Sequence, residues 1–194
     1  MQPPRDSMSA RRLRMVCMVV ALGLSTIGCG RVESMWNGGD QPLDRSAVIL
    51  DFAADPRAAL LKYKPQWDAQ TAIGKVPTAG AVALAGELMR ADPASYDQYY
   101  RYALAQSGSE DTDVASAAMG ALSRAKGLES IDVLIAKAGD PRAEVASSAL
   151  IAIDYRYVTS MYESGSSSDH THLKQALPTI CRGEFAAFVR TCKK

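Results

Sequence analysis

From Asp44 onward apolar residues return every three or four positions, the spacing of a helix that buries one stripe. The clearest case is Ile131, Leu134, Ile135 and Ala138, the apolar side of one predicted helix. After Gly139-Asp140-Pro141, a second helix carries Val145, Ala149, Ala152 and Ile153 at the same spacing. Gly139 ends the first helix, Asp140 is placed to cap the second, and Pro141 fits a first turn, where its missing N–H has no partner to lose. The plan occurs once earlier, as a helix from Tyr99 to Gln106, a turn over Ser107-Gly108-Ser109-Glu110-Asp111, and a helix from Asp113 to Ala125. Further upstream, Val48, Ile49, Phe52, Leu60 and Leu61 are the expected apolar positions of a stretch that Asp44 could cap. The Asp55-Pro56 step should divide that stretch in two, because proline suits a helix's first turn and not its interior. Residues 30–44 have no period and carry Gly, Pro and Asp, which reads as a tether.

The two helix pairs are copies of one plan. At an offset of 31 residues, Asp113 to Leu122 aligns with Glu144 to Ile153 at five identical positions in ten. Ala105 and Gly108 fall on Ala136 and Gly139. A period near 30 in a helical chain marks stacked helix pairs, units that cannot bury their apolar faces alone. A degenerate earlier unit would end in the helix Ala79 to Arg90, where Val82-Ala83-x-Ala85 echoes Val114-Ala115-x-Ala117. The segment Asp140-Pro141-Arg142-Ala143-Glu144-Val145, followed by Ala146-Ser147-Ser148-Ala149-Leu150, resembles the second helix of the HEAT-like repeat family. That resemblance covers residues 95–154 and implies an all-α fold, a short right-handed α-solenoid of helix pairs with a helical C-terminal tail. The family often places Arg after the Val; here Ala146 and Ala115 stand there, which weakens the case for an Arg–Asp ladder between units.

The N-terminus has a different logic. Arg11-Arg12-Leu13-Arg14 precedes about ten apolar residues, Met15 to Leu24, the order of a secretory signal peptide. The run is too short to span a bilayer, which takes roughly 20 residues. The next residues, Leu24-Ser25-Thr26-Ile27-Gly28-Cys29, resemble the lipobox of bacterial lipoproteins, with Thr26 where that family prefers Leu. The resemblance implies cleavage before Cys29 and acylation of its thiol, so that the membrane is reached through a lipid anchor. Gly30, in place of an Asp, implies sorting to the outer membrane, with the chain facing the periplasm. The expected organisation is therefore a signal peptide at 1–28, a lipidated tether at 29–44, a repeat domain at 45–158, and a Ser-rich loop with a helical tail at 159–194.

Composition agrees and narrows the chemistry. Of 31 alanines, 26 lie between Ala47 and Ala152, against 13 aromatics in the whole chain, which favours closely packed helices over a β-sandwich. The net charge of +1 is far from that of a domain built to grip phosphates, so no nucleic-acid partner is expected. Loss of residues 1–28 removes four basic residues and one acid, taking the charge from +1 down by three to −2. Of four cysteines, Cys17 leaves with the signal and Cys29 takes the lipid. Cys181 and Cys192 remain as an even pair in an oxidising compartment, where a disulfide is expected and two separate buried thiols are the alternative. Eleven residues of straight helix span about 16.5 Å, too far for a bridge that needs Cα atoms within roughly 4.4–6.8 Å. If bridged, the tail must turn between them, and Gly183 is the natural place.

Candidate sites are few. Tyr96, Tyr99, Tyr100 and Tyr102 crowd one helix, and four rings spread over nearly two turns should leave at least one exposed as a possible partner contact. Asp169-His170-Thr171-His172 lies in a Ser-rich context that reads as a loop, and no third strong ligand points to a metal there. Glu110, Asp111 and Asp113 read as a solvated cap for the following helix. No Gly-x-Ser-x-Gly elbow and no phosphate-binding glycine loop occurs, and no cofactor is implied. The expected role is a lipid-anchored scaffold that binds a protein or peptide. The alternative, an enzyme or small-ligand binder, would need Tyr99 to Tyr102 to converge with His170 or His172 and an acid, between the repeats and the tail.

Overall fold

The computed structural model describes residues 45–162, 167–182 and 192–193. The signal peptide, Cys29, the tether, the Asp44 cap and the Gly183 turn lie outside the described residues. Among those described there is no strand. Eight α-helices follow one another: α1 (Arg45–Ala54), α2 (Pro56–Gln70), α3 (Ala79–Ala91), α4 (Tyr96–Gln106), α5 (Thr112–Leu122), α6 (Leu128–Lys137), α7 (Ala143–Ser160) and α8 (Ser167–Ile180), with a 3-10 turn at Pro93–Ser95 before α4. None of them is long and apolar enough to cross a membrane.

The helices pair as a short α-solenoid does. α2 packs on α3, α4 on α5 and α6 on α7, while the second helices also contact each other in a row, α3 with α5 and α5 with α7. α1 leans on α2 and α3 at one end, and α8 covers α6 and α7 at the other. The alanine excess belongs to the row: Ala81, Ala85, Ala115, Ala118, Ala121, Ala146, Ala149 and Ala152 are all buried. Small side chains allow close approach, and at one point only hydrogen suffices. A Cβ on Gly86 of α3 would stand 2.9 Å from the Ala121 Cα of α5. Gly120, one residue away on α5, has nothing within 4 Å of a Cβ position.

Two of the predicted boundaries have a direct physical counterpart. The Asp55-Pro56 step separates α1 from α2, and the Asp55 carboxylate accepts from the N–H groups of Arg57 (3.0 Å) and Ala58 (3.1 Å). In the acidic turn Asp111 is the cap of α5, accepting from the Asp113 and Val114 N–H groups at 2.9 and 3.1 Å. The Asp140 and Pro141 expectations need correction, because α7 begins at Ala143 with Arg142 at its N-cap position, which leaves both residues outside the helix. Asp140 instead accepts from the Arg142 N–H (3.0 Å) and holds the Arg142 guanidinium through Nε (2.9 Å) and Nη2 (3.1 Å). So held, Arg142 Nη1 reaches back to the carbonyl oxygens of Ser109 (2.8 Å) and Glu110 (3.3 Å), in the turn of the preceding unit. The link between units is thus an arginine on backbone carbonyls, offset by 33 and 32 residues. Ala115 and Ala146, at the positions where the repeat family often carries Arg, are simply buried.

At the start of the domain the apolar pattern misassigned two residues. Val48 and Phe52 are buried as expected, but Ile49 and Leu61 face outward, Leu61 at 74% exposure. The buried face of α2 is Ala59, Tyr63 and Trp67, one residue per turn. Trp67 joins three helices: its indole N–H donates to the Ala81 carbonyl of α3 (3.1 Å), and its ring meets Tyr99 and Tyr102 of α4 edge-on at 4.8 and 5.5 Å.

Two outcomes follow from this packing. Gly86→Ala should lower the unfolding free energy by about 1–3 kcal/mol through forced separation of α3 and α5, whereas Gly120→Ala should raise it by about 0.5–1 kcal/mol through helix propensity; urea unfolding of the two variants reads both signs. The second concerns Asp140, whose carboxyl is held well below the usual carboxylate range, first by the Arg142 side chain, then by the Arg142 N–H and Lys137, against the opposing effect of burial. A folded pKa below the unfolded value of about 3.9 means stability that is fully present above that pH and lost as pH falls through the folded value. Asp140→Asn should therefore cost about 1 kcal/mol at pH 7, and the gap to the unsubstituted chain should narrow between pH 4 and pH 2 in the same unfolding assay.

Candidate functional site

The tyrosine helix is the first candidate, and its rings point inward. Tyr99 is fully buried, Tyr96, Tyr100 and Tyr102 are half-buried, and none is exposed, contrary to the expectation of an outward ring. The reason is that each ring has a partner around the helix. Tyr99 and Tyr102 take the two sides of Trp67, and Tyr96 stacks on Tyr100 at 5.9 Å with planes 12° apart. Three hydroxyls are used locally. Tyr99 donates to Asp92 (2.9 Å), Tyr100 donates to Glu129 (2.7 Å), and Tyr96 accepts from the Lys126 N–H (2.7 Å). Burial, then the hydrogen bond to Glu129, pushes the Tyr100 hydroxyl well above the ordinary tyrosine range, so it stays protonated. These rings pin α4 to its neighbours, and Tyr96 also lines a cavity wall.

The histidine cluster also changes character. Asp169, His170, Thr171 and His172 do not form a loop but lie in the first turns of α8. Asp169 is buried and pairs with Arg156 of α7, which is itself only 4% exposed. His170 lies over Tyr157 at 4.7 Å, with Nδ1 3.1 Å from the Ser160 hydroxyl. His172 Nε2 stands 2.7 Å from an Asp132 carboxylate oxygen of α6. The cluster thus fastens α8 to the last repeat. Tyr99 to Tyr102 and the two histidines share no cavity among the described residues, so the convergence that an enzyme reading requires is not present there. No group of three or more metal-ligating side chains occurs among the described residues either. Cys181 and Cys192 are joined by a disulfide with Cα atoms 5.4 Å apart, and α8 ends at Ile180, just before the bridge.

A larger cavity lies elsewhere. A groove of about 810 Å³ runs across the C-terminal ends of the three second helices, taking Arg90 from α3, Ser123, Arg124 and Lys126 from just past α5, and Tyr155 and Arg156 from α7. Four cations line it against one acid, Asp97. Arg124 donates to the Gly120 carbonyl (2.9 Å) and pairs with buried Glu87 (2.8 Å), whose second oxygen is 3.9 Å from Arg90. Arg124 and Arg156 each keep a buried Nε–H without a hydrogen-bond partner. Sequence reasoning missed this site, since its residues come from three segments that only stacking brings together. The one local signal was a cation at or just past the C-terminal ends of α3 and α5, where cations answer the helix dipole. Ser123-Arg124-Ala125-Lys126 also has the Ser-x-x-Lys spacing of a serine nucleophile with a lysine base, which motif reading did not pick out. The Ser123 hydroxyl donates to the Gly120 carbonyl (2.7 Å), and no hydrogen bond joins it to Lys126 among the described residues.

Beside the groove the outer side of α7 is apolar. Ile151 (62% exposed), Tyr155 (45%) and Val158 follow one another along the helix, and Tyr162 (83%) continues the line in the turn beyond it. Tyr155 belongs to both the stripe and the groove. Comparison with protein-family models, curated proteins and solved structures finds no match to this chain.

The Arg156–Asp169 pair gives a direct check on how α8 is held. Asp169→Leu alone should cost about 3–5 kcal/mol, because it leaves a buried guanidinium unpaired. Adding Arg156→Met should return most of that loss; a double variant as unstable as the single would mean that the buried charge is not what matters.

Proposed function

We propose that this protein is a lipid-anchored helical-repeat scaffold of the bacterial envelope, held at the outer membrane through Cys29 and facing the periplasm, where it binds a protein or peptide partner. The observation that carries the binding role is the apolar stripe Ile151, Tyr155, Val158 and Tyr162 beside the 810 Å³ groove. In a stack of helix pairs each second helix covers the one before it, and α7 is the last of the row. α8 covers part of α7, and the stripe stays exposed beside that contact. A contiguous exposed apolar line of this kind on a soluble domain marks a contact surface more often than chance exposure does. The anchor rests on the lipobox resemblance at Leu24 to Cys29, and the HEAT-like character of the repeats on the 31-residue period and the Asp140 to Leu150 texture.

Two measurements test the reading. Globomycin treatment should cause the uncleaved precursor to accumulate, and Cys29→Ala should move the chain from the membrane to the soluble fraction. In pull-downs from detergent-solubilised envelopes, Ile151→Glu with Val158→Glu should lose the partner by tenfold or more in yield, on the order expected for removal of a central apolar contact. A partner recovered equally by both forms would end the assignment of this face.

A further inference from the structure

We propose that the groove across the ends of α3, α5 and α7 binds an acidic peptide segment of the partner, through carboxylates seated on Arg90, Lys126 and the inner guanidinium groups. This deepens the scaffold reading and rests on it. Charge complementarity selects the occupant. Among the described residues, four cations face the groove from three helix ends, and Asp97 is the one acid in its wall. Their existing partners do not exhaust them. Glu87 is shared between Arg124 at 2.8 Å and Arg90 at a distant 3.9 Å, and Arg156 pairs with Asp169. No ion pair engages the Lys126 ammonium among the described residues. Arg124 and Arg156 retain a buried Nε–H each without an acceptor, a standing cost in the free domain.

The shape favours a chain over a small ion. The groove holds about 810 Å³, far more than one carboxylate needs, and it opens at Tyr155 onto the apolar stripe of α7. A segment that alternates acidic and apolar residues would place carboxylates in the groove and side chains along Ile151 and Val158. Guanidinium groups suit this task, since their fixed fork of donors accepts carboxylate oxygens in pairs.

The test uses the full chain in detergent and a fluorescein-labelled peptide of alternating Glu and Leu, read by fluorescence anisotropy. The Glu/Leu peptide should bind, its affinity should fall as salt rises, and a Gln/Leu counterpart should bind about tenfold more weakly. Lys126→Glu and Arg90→Gln should each weaken the Glu/Leu peptide by about fivefold to tenfold while leaving the thermal unfolding transition in place. Lys174→Glu, on the exposed side of α8 away from the groove, should change nothing. Equal binding of the Gln/Leu and Glu/Leu peptides would overturn the proposal, and so would full displacement by free succinate at the peptide's own concentration, which would make this a small-anion site. Neither result touches the scaffold reading, which stands or falls on the loss of partner with Ile151→Glu and Val158→Glu.

Discussion

The contact between Gly86 of α3 and Ala121 of α5 sets the spacing on which the rest of the domain depends. With a Cβ position only 2.9 Å from the Ala121 Cα, no side chain fits between the two backbones at this point. Dispersion and burial then come from backbone and alanine methyl groups instead of from large side chains. That explains how a core with so few aromatics holds together. The large groups, Trp67 with Tyr99 and Tyr102, sit between α2 and α4, where the first helices of successive pairs meet behind the row. Tight packing in the row and bulky filling outside it are two halves of one solution.

The sequence made the row legible and much of its surroundings illegible, for identifiable reasons. Asp55-Pro56, the turn over residues 107–111 and the stripe of Val145, Ala149, Ala152 and Ile153 are local signals, fixed by proline sterics, side-chain capping and helical period. Ile49 and Leu61 were misread because an apolar residue beside a stripe looks the same as one inside it until a neighbour is known. Trp67 escaped notice because α2 carries polar residues between its buried positions, and Pro65 interrupts its pattern. The Ser-rich run before His170 resembles a loop by composition, yet α8 forms because Leu173, Ile180 and the Arg156–Asp169 pair repay its ordering. Burial and a long-range ion pair override propensity there, and neither is visible in a window of ten residues.

The polar links show how the units are kept in register. Arg142 donates to the carbonyls of Ser109 and Glu110, Tyr96 accepts from the Lys126 N–H, and Tyr100 donates to Glu129. Each joins residues about one repeat apart, and each has a backbone group or a carboxylate on one side. Apolar faces alone would allow the pairs to slide, since a methyl surface is nearly uniform along the helix. Directional bonds at the turns remove that freedom. Asp140 matters here less as a helix cap than as the group that fixes where the Arg142 guanidinium points.

The groove is a consequence of the same stacking. The last turns of α3, α5 and α7, with the residues just beyond them, line one cavity, so their C-terminal carbonyl ends lie on one side of the domain. Side-by-side C-termini concentrate partial negative charge, and the fold needs cations there. Arg90, Arg124 and Lys126 meet that need, and Arg124 does so visibly through the Gly120 carbonyl. A helix end carries only about half a charge, however, and Glu87 and Asp169 are paired with these groups. The four cations are thus about balanced by the three helix ends together with Glu87, Asp169 and Asp97, yet two of the guanidinium groups keep a buried donor without an acceptor. Stability accounts for why positive charge gathers at this edge. It leaves two guanidinium Nε–H donors without an acceptor, and cations gathered from three helix ends along one groove are what a binding site for carboxylates needs.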